Sequence, residues 1–74
     1  MTVFAERLLQ LKKESGKNFH ELERDGIGIS KSMLAYWCRT DVLPNSKSII
    51  QLCRYFDVSA DWLLGISNFR KIKR

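Results

Sequence analysis

Two glycines alternate with two isoleucines at Gly26–Ile29, between two segments with the character of short helices. Gly26 and Gly28 allow positive φ angles, so the chain can turn sharply there. Ile27 and Ile29 are large and apolar, and we expect them to fasten this turn to a hydrophobic core. One short helix must therefore pack directly against the next, which is a strong restriction in a chain of 74 residues.

Both segments beside this turn carry helix-start signals. Asn18 precedes Glu21 by three residues, which is capping-box spacing, in which each side chain accepts a hydrogen bond from the other residue's backbone N–H. The helix before the turn is expected over residues 19–25. Ser30 is the capping residue of the helix after the turn, which extends to Arg39. A short helix joined to another by a tight turn is the helix-turn-helix pattern.

Helical periodicity continues over the rest of the chain. Residues 3–14 form a helix capped by Thr2 and ended by Gly16. After a loop that contains Pro44, a fourth helix starts at Asn45 or Ser46 and ends near residue 57, and a fifth covers residues 60–64. No segment alternates long enough for a strand. The sequence predicts an all-α domain of five short helices.

The predicted third helix has two chemically different sides. Met33, Leu34 and Trp37 form a large apolar side that we expect to face the core. The opposite side carries Lys31, Ser32, Ala35, Tyr36 and Arg39, and the stretch contains no acid. Cations and hydroxyl groups suit the phosphates and base edges of a DNA groove. A solvated face of an ordinary helix is the alternative interpretation.

Composition narrows the function classes. The net charge of +5 and a pI of about 9.6 favour a polyanionic partner, either nucleic acid or an anionic membrane surface. No secretory signal or transmembrane-length apolar run is present, so a cytoplasmic location is expected.

The sequence gives little support to a catalytic or metal site. Cys38 and Cys53 have no metal or redox spacing, and we expect both to be reduced thiols. A convincing Ser/His/Asp or Cys/His arrangement cannot be assembled around the lone His20. We therefore expect no enzyme activity, no metal, no cofactor and no small-molecule substrate.

Four motifs, in order, resemble the phage-repressor/Cro (XRE-type) helix-turn-helix family over about residues 4–66. Residues 56–65, FDVSADWLLG, are similar to the family's "F-x-V-S-x-D-W/Y-L-L-G". Residues 28–37 match its "G-I-S-x-S-x-I-x-x-W/Y". Pro44 stands at the family's loop proline. The pattern of its first helix is matched by Phe4, Arg7, Leu8 and Leu11.

This resemblance implies a compact five-helix, lambda-repressor-like DNA-binding domain over residues 1–66, followed by a basic C-terminal tail, residues 67–74. The implied function is a bacterial or phage transcriptional regulator. It would bind a palindromic DNA operator as a homodimer and act on polymerase by occupying that operator. Repression is expected rather than activation, because 74 residues leave no room for an effector domain.

The resemblance places the third helix in the major groove of double-stranded DNA. We predict that Lys31, Ser32, Tyr36 and Arg39 contact bases. Phosphate contacts are predicted for helix-start and nearby residues, since N-terminal N–H groups and cations favour anions there. These residues are Lys17, Asn18, Ser30, Asn45, Ser46 and Lys47. The tail is expected to be mobile and is a further candidate for tracking the DNA backbone.

Apolar side chains near the chain end exceed what a small core needs. A twofold interface is therefore hypothesised from Trp62, Leu63, Ile66 and Phe69.

Several residues depart from the family pattern. The segment between Leu22 and Ser30 is one residue longer than usual, and Glu23 replaces a small alanine, which predicts looser packing between the second and third helices. Phe19 replaces a glutamine that bonds phosphate in the family. Cys38 replaces an acid, so its pairing with Arg7 is not expected. The longer turn, Glu23 and Phe19 favour an alternative function, a protein-interaction module on the same fold such as an antirepressor or antitoxin-like partner.

Overall fold

The computed structural model describes residues 1–72 and contains no β-strand in that range. Its helices are α1 (Val3–Ser15), α2 (Phe19–Arg24), α3 (Lys31–Arg39), α4 (Ser46–Phe56) and α5 (Ala60–Leu64). The prediction of a compact all-α chain with five short helices is confirmed. The predicted helix ends agree with the observed ones to within about one residue, as is usual for helix boundaries.

Every helix begins with a side chain that accepts a hydrogen bond from a first-turn N–H. The capping box is present: Asn18 Oδ1 accepts from Glu21 N at 2.8 Å, and Glu21 Oε1 accepts from Asn18 N at 3.0 Å. Asn45, rather than Ser46, caps α4, accepting from Ser48 N at 2.9 Å. Each cap stabilises its helix by about 1 kcal/mol, which matters for helices this short.

One hydrophobic core joins the helices. Helix α1 packs against α3 and α5, α2 packs against α3, and α4 packs against α5. The Phe4 ring meets the Trp37 ring edge to face, with centroids 5.9 Å apart and planes at 75°. The largest fully buried side chains are Phe4, Leu8, Leu11, Leu22, Leu34, Leu52, Val58 and Leu63.

The turn between α2 and α3 has the predicted character. Gly26 and Gly28 have φ angles of 94° and 82°, which are accessible to glycine at little cost. Ile27 and Ile29 are buried, as predicted. The two glycines allow the turn to bend, and the two isoleucines anchor it in the core. Together they set the position of α3 beside α2.

Residues 67–70 fold back on the helices, contrary to the expectation of a mobile tail. Ser59 N donates to Arg70 O at 2.8 Å, and Ser59 Oγ donates to Phe69 O at 3.1 Å. Arg7 Nη1 donates to Ser67 O at 2.9 Å. Arg70 forms an ion pair with Glu14 and lies 5.2 Å from the Trp62 ring centroid. Of the tail cations, Lys73 and Arg74 lie outside the described residues.

Trp62 and Leu63 belong to the core, which corrects their assignment to a twofold interface. Their side chains are 6% and 0% exposed. The reason is that α5 packs against both α1 and α4, so its apolar residues are used within the chain. Ile66 and Phe69 are 75% and 81% exposed.

The Glu14–Arg70 pair predicts a specific acid sensitivity. Hydrogen bonds from Arg70 and then Gln10 lower the pKa of Glu14 from 4.5 to about 2. Because the folded pKa lies below the ordinary value, the pair stabilises the fold above about pH 4.5 and loses this effect as pH falls towards 2. The melting temperature of the wild type should therefore fall more steeply over this range than that of Glu14→Gln.

Circular dichroism melts at a series of pH values measure this difference. Both residues of the pair are partly exposed, so 1 M salt should reduce the difference by screening. Glu6→Gln, which changes another exposed acid of α1, is the matched control. Parallel pH dependence of the wild type and Glu14→Gln would contradict the assignment.

Candidate nucleic-acid interface

Helix α3 presents four of the predicted contact residues on one exposed side. Leu34 and Trp37 are 0% and 4% exposed and anchor the opposite side in the core. At about 100° per residue, the four exposed residues fall within an arc of about 140°. They are Lys31, Ser32, Tyr36 and Arg39. The core thus determines which side of α3 faces outward.

Tyr36 and Arg39 form a contact on this exposed side. The Arg39 guanidinium carbon lies 5.7 Å from the Tyr36 ring centroid, within cation–π range. Thr40 Oγ1 donates to Tyr36 O at 2.9 Å and ends the helix. The phenol and the guanidinium therefore form one composite surface at the C-terminal end of α3.

The N-terminus of α3 is partly satisfied by groups of the chain itself. Ser30 Oγ accepts from Met33 N at 3.2 Å, and Glu23 Oε1 accepts from Lys31 N at 2.9 Å. A carboxylate therefore lies at the positive end of the helix dipole, where an anion is favoured. The Ser30 hydroxyl, whose oxygen accepts from Met33 N, can still donate its hydrogen to a phosphate, but Lys31 N–H is already bonded.

The contact of Glu23 with the start of α3 is the feature that the sequence interpretation missed. Glu23 was expected to loosen the packing of α2 on α3, yet its exposed side chain bonds the first residue of α3 instead. This contact spans eight residues and depends on the shape of the turn. No local sequence signal identifies it, because capping-box spacing is three residues.

Met33 was predicted to lie in the core, but its side chain is 44% exposed. Leu34 and Trp37 take the buried arc, since α3 packs mainly against α1 and α2. On the helix Met33 comes three residues before Tyr36 and so lies next to it. Met33 is thus an apolar side chain at the edge of the exposed face of α3.

The predicted phosphate-contact residues lie at the starts of three helices, α2, α3 and α4. Asn45, Ser46 and Lys47 are exposed together at the start of α4. Asn18 Oδ1 and Asn45 Oδ1 are both used as caps, of α2 and of α4 respectively. The start of α4 still offers the exposed side chains of Ser46 and Lys47, and a polar helix start with a cation beside it favours an anion.

Lys17 is engaged by other residues of the chain. Its ammonium lies 2.8 Å from Asp25 Oδ2 and 3.4 Å from the Tyr55 hydroxyl, which itself donates to Asp25. The hydrogen bond to Asp25 raises the pKa of Lys17, and the same bond lowers the pKa of Asp25. A phosphate at Lys17 would have to compete with this carboxylate.

The two thiols and the acids of the described residues are the candidate groups for chemistry or metal binding. Cys38 and Cys53 are free, and burial raises the pKa of both thiols, which reduces the reactive thiolate at neutral pH. Within residues 1–72, no group of three or more His, Cys, Asp or Glu side chains is placed to hold a metal ion. In the same part of the chain, no helix has the length and apolar character to cross a membrane.

Comparison of the chain with family models, with curated proteins and with solved structures finds no match.

We expect the hydrogen bond from Lys31 N to Glu23 Oε1 to stabilise the first turn of α3. Glu23→Ala should speed hydrogen exchange of the amides in the first turn of α3 and lower the free energy of unfolding by about 1 kcal/mol, as for a lost cap. Glu23→Gln keeps an acceptor oxygen and should retain most of the protection. Exchange is followed residue by residue by NMR, and equal protection in Glu23→Ala and the wild type would contradict the bond.

Proposed function

We propose that the chain is a sequence-specific, double-stranded-DNA-binding transcriptional regulator that inserts α3 into the major groove. The fold would be that of a lambda-repressor-like helix-turn-helix domain, with α2 and α3 as the motif. The observation that carries this proposal is the exposed side of α3, on which Lys31, Ser32, Tyr36 and Arg39 stand together while Leu34 and Trp37 are buried.

The dimensions of α3 support this function. Its nine residues span about 13 Å, and a helix about 10–12 Å wide fits the major groove of about 12 Å. In such docking the N-terminal residues of the helix lie nearest the bases. Lys31 and Ser32 therefore contact base edges, and Tyr36 with Arg39 contacts bases or flanking phosphate.

The charge distribution supports the same orientation. Helix α3 contains no acid, and Lys47 lies in the first turn of α4 beside its polar start. Asn45, Ser46 and Lys47 form the main phosphate clamp, because the helix dipole and a cation act together there. Occupancy of an operator by this domain would block or recruit polymerase, and we propose blocking, which is repression. The domain acts by binding alone and is not an enzyme.

The central test is selection from a randomised duplex pool, followed by affinity measurements. Lys31→Ala and Ser32→Ala should each lose selectivity at the base pairs they contact, because a good side-chain–base pairing is worth about 1–3 kcal/mol of discrimination. Lys47→Ala should weaken binding to all duplexes and lower the salt slope by about 1. Fluorescence anisotropy at several salt concentrations measures both effects.

Lys13→Ala is the matched control, since it removes the same charge from an exposed position of α1. It should leave the selected sequence unchanged. If the affinity for DNA depends on salt but no sequence is selected, the chain binds DNA only nonspecifically through its basic surface. A lack of binding at low salt would contradict the proposal.

A protein-interaction module is the second candidate, and Glu23 favours it. Its carboxylate lies beside Lys31 on the face proposed for DNA, where it would repel a phosphate. This candidate predicts that an antirepressor-like or antitoxin-like protein partner, rather than DNA, covers α3. The low-salt binding experiment separates the two.

We also propose that two copies bind a palindrome whose half-sites lie about 34 Å apart, as in dimeric helix-turn-helix proteins. The exposed apolar residues Ile66 and Phe69 support a twofold contact near the chain end. Replacing both with serine should convert a dimer to a monomer in sedimentation at tens of micromolar, on and off a palindromic duplex.

Val42→Ser is the control for the dimer, because it alters an exposed apolar residue of the loop before α4. The melting temperature should remain close to that of the wild type in each variant. A wild-type chain that sediments only as a monomer, both free and on DNA, would refute the dimer.

A further inference from the structure

The side chain of Met33 is the unexpected feature of α3. It is 44% exposed, although methionine is usually buried in a core of this kind. Its backbone N–H is fixed by Ser30 Oγ at 3.2 Å, so it belongs to the first turn of the helix. An exposed apolar group is therefore held at the end of α3 that the proposed function places nearest the bases.

The neighbours of Met33 limit what this apolar group can contact. Tyr36, 37% exposed, lies one turn further along the same side, so that a thioether and a phenol ring form one apolar strip. Arg39 lies against Tyr36, and Ser32, four residues before Tyr36, is its neighbour on the helix surface. An apolar strip bordered by a cation and a hydroxyl, on a helix without acids, is complementary to a polyanion that also carries apolar groups.

The major groove offers one kind of apolar group. Adenine, guanine and cytosine present nitrogen and oxygen donors or acceptors there, and thymine adds its C5-methyl group. Methionine is flexible and polarisable, so it adapts to such a methyl without a fixed geometry. Resting on the proposed function, we propose that Met33, with Tyr36 beside it, recognises a thymine C5-methyl group and makes the operator depend on thymine at that position.

The test removes only the methyl group from DNA. Each thymine of the selected duplex is replaced in turn by deoxyuridine, which keeps the same base-pairing and groove polar groups. Burying one methyl or methylene is worth about 0.8 kcal/mol, which is about fourfold in dissociation constant at 1.4 kcal/mol per tenfold. The wild type should bind about fourfold more weakly at one thymine or two adjacent thymines.

The same substitutions are then measured with protein variants. Met33→Ala should bind the thymine and deoxyuridine duplexes with nearly equal affinity at that position, whereas Met33→Leu should keep the difference. Val3→Ala is the matched control, because Val3 has the same 44% exposure but lies in α1. Met33 is exposed, so unchanged melting temperatures are expected and confirm that the variants fold.

Two results would overturn the inference while leaving the proposed function intact. One is sequence-specific binding in which no thymine can be distinguished from deoxyuridine. The other is a discrimination that is equally large in Met33→Ala and the wild type. If the wild type binds no duplex at low salt, both the proposed function and this inference fail together.

Discussion

The burial of Leu34 and Trp37 determines what α3 presents to its surroundings. Trp37 meets the Phe4 ring of α1 at a centroid distance of 5.9 Å, and Leu34 is fully buried. Because these two side chains settle the rotation of the helix, the opposite side with Lys31, Ser32 and Tyr36 must face outward. A different rotation would expose the indole and bury cations, which is costly. The candidate interface is therefore a consequence of core packing.

Acidic side chains also determine which positive groups of the domain remain open to a partner. Glu23 satisfies the first N–H of α3, Asp25 holds Lys17, and Glu14 holds Arg70. These acids bind groups of the chain at three places around the domain, whereas α3 itself has none. Helix α3 and the first turn of α4 thus present cations without an acid of their own, whereas at the start of α2 Lys17 is paired with Asp25.

The sequence alone predicts features that depend on local contacts. Helix starts were predictable because each cap bond spans only three residues, as from Asn18 to Glu21. Burial of Ile27 and Ile29 was predictable because large apolar side chains in a tight turn are stabilised by packing against the core. In contrast, the Glu23–Lys31 bond spans eight residues and the Arg70–Glu14 pair spans 56, so both depend on the finished fold.

The burial of an apolar residue could not be predicted where it depends on which other helices pack against its own helix. Met33 lies outside the core because the helices packed on α3 leave its side open. Trp62 and Leu63 lie inside because α5 has neighbours on two sides. Periodicity identifies an apolar side of a helix but does not state how wide the buried arc is or which residues at its edge remain exposed.

An NMR titration of the isotope-labelled chain with its selected duplex tests most directly whether α3 contacts the bases. We predict that the largest amide shift changes fall in α3 and at the start of α4, with small changes in α1. Changes concentrated in α1 or in residues 66–70, with α3 unaffected, would contradict the assignment of α3 as the helix that contacts the bases.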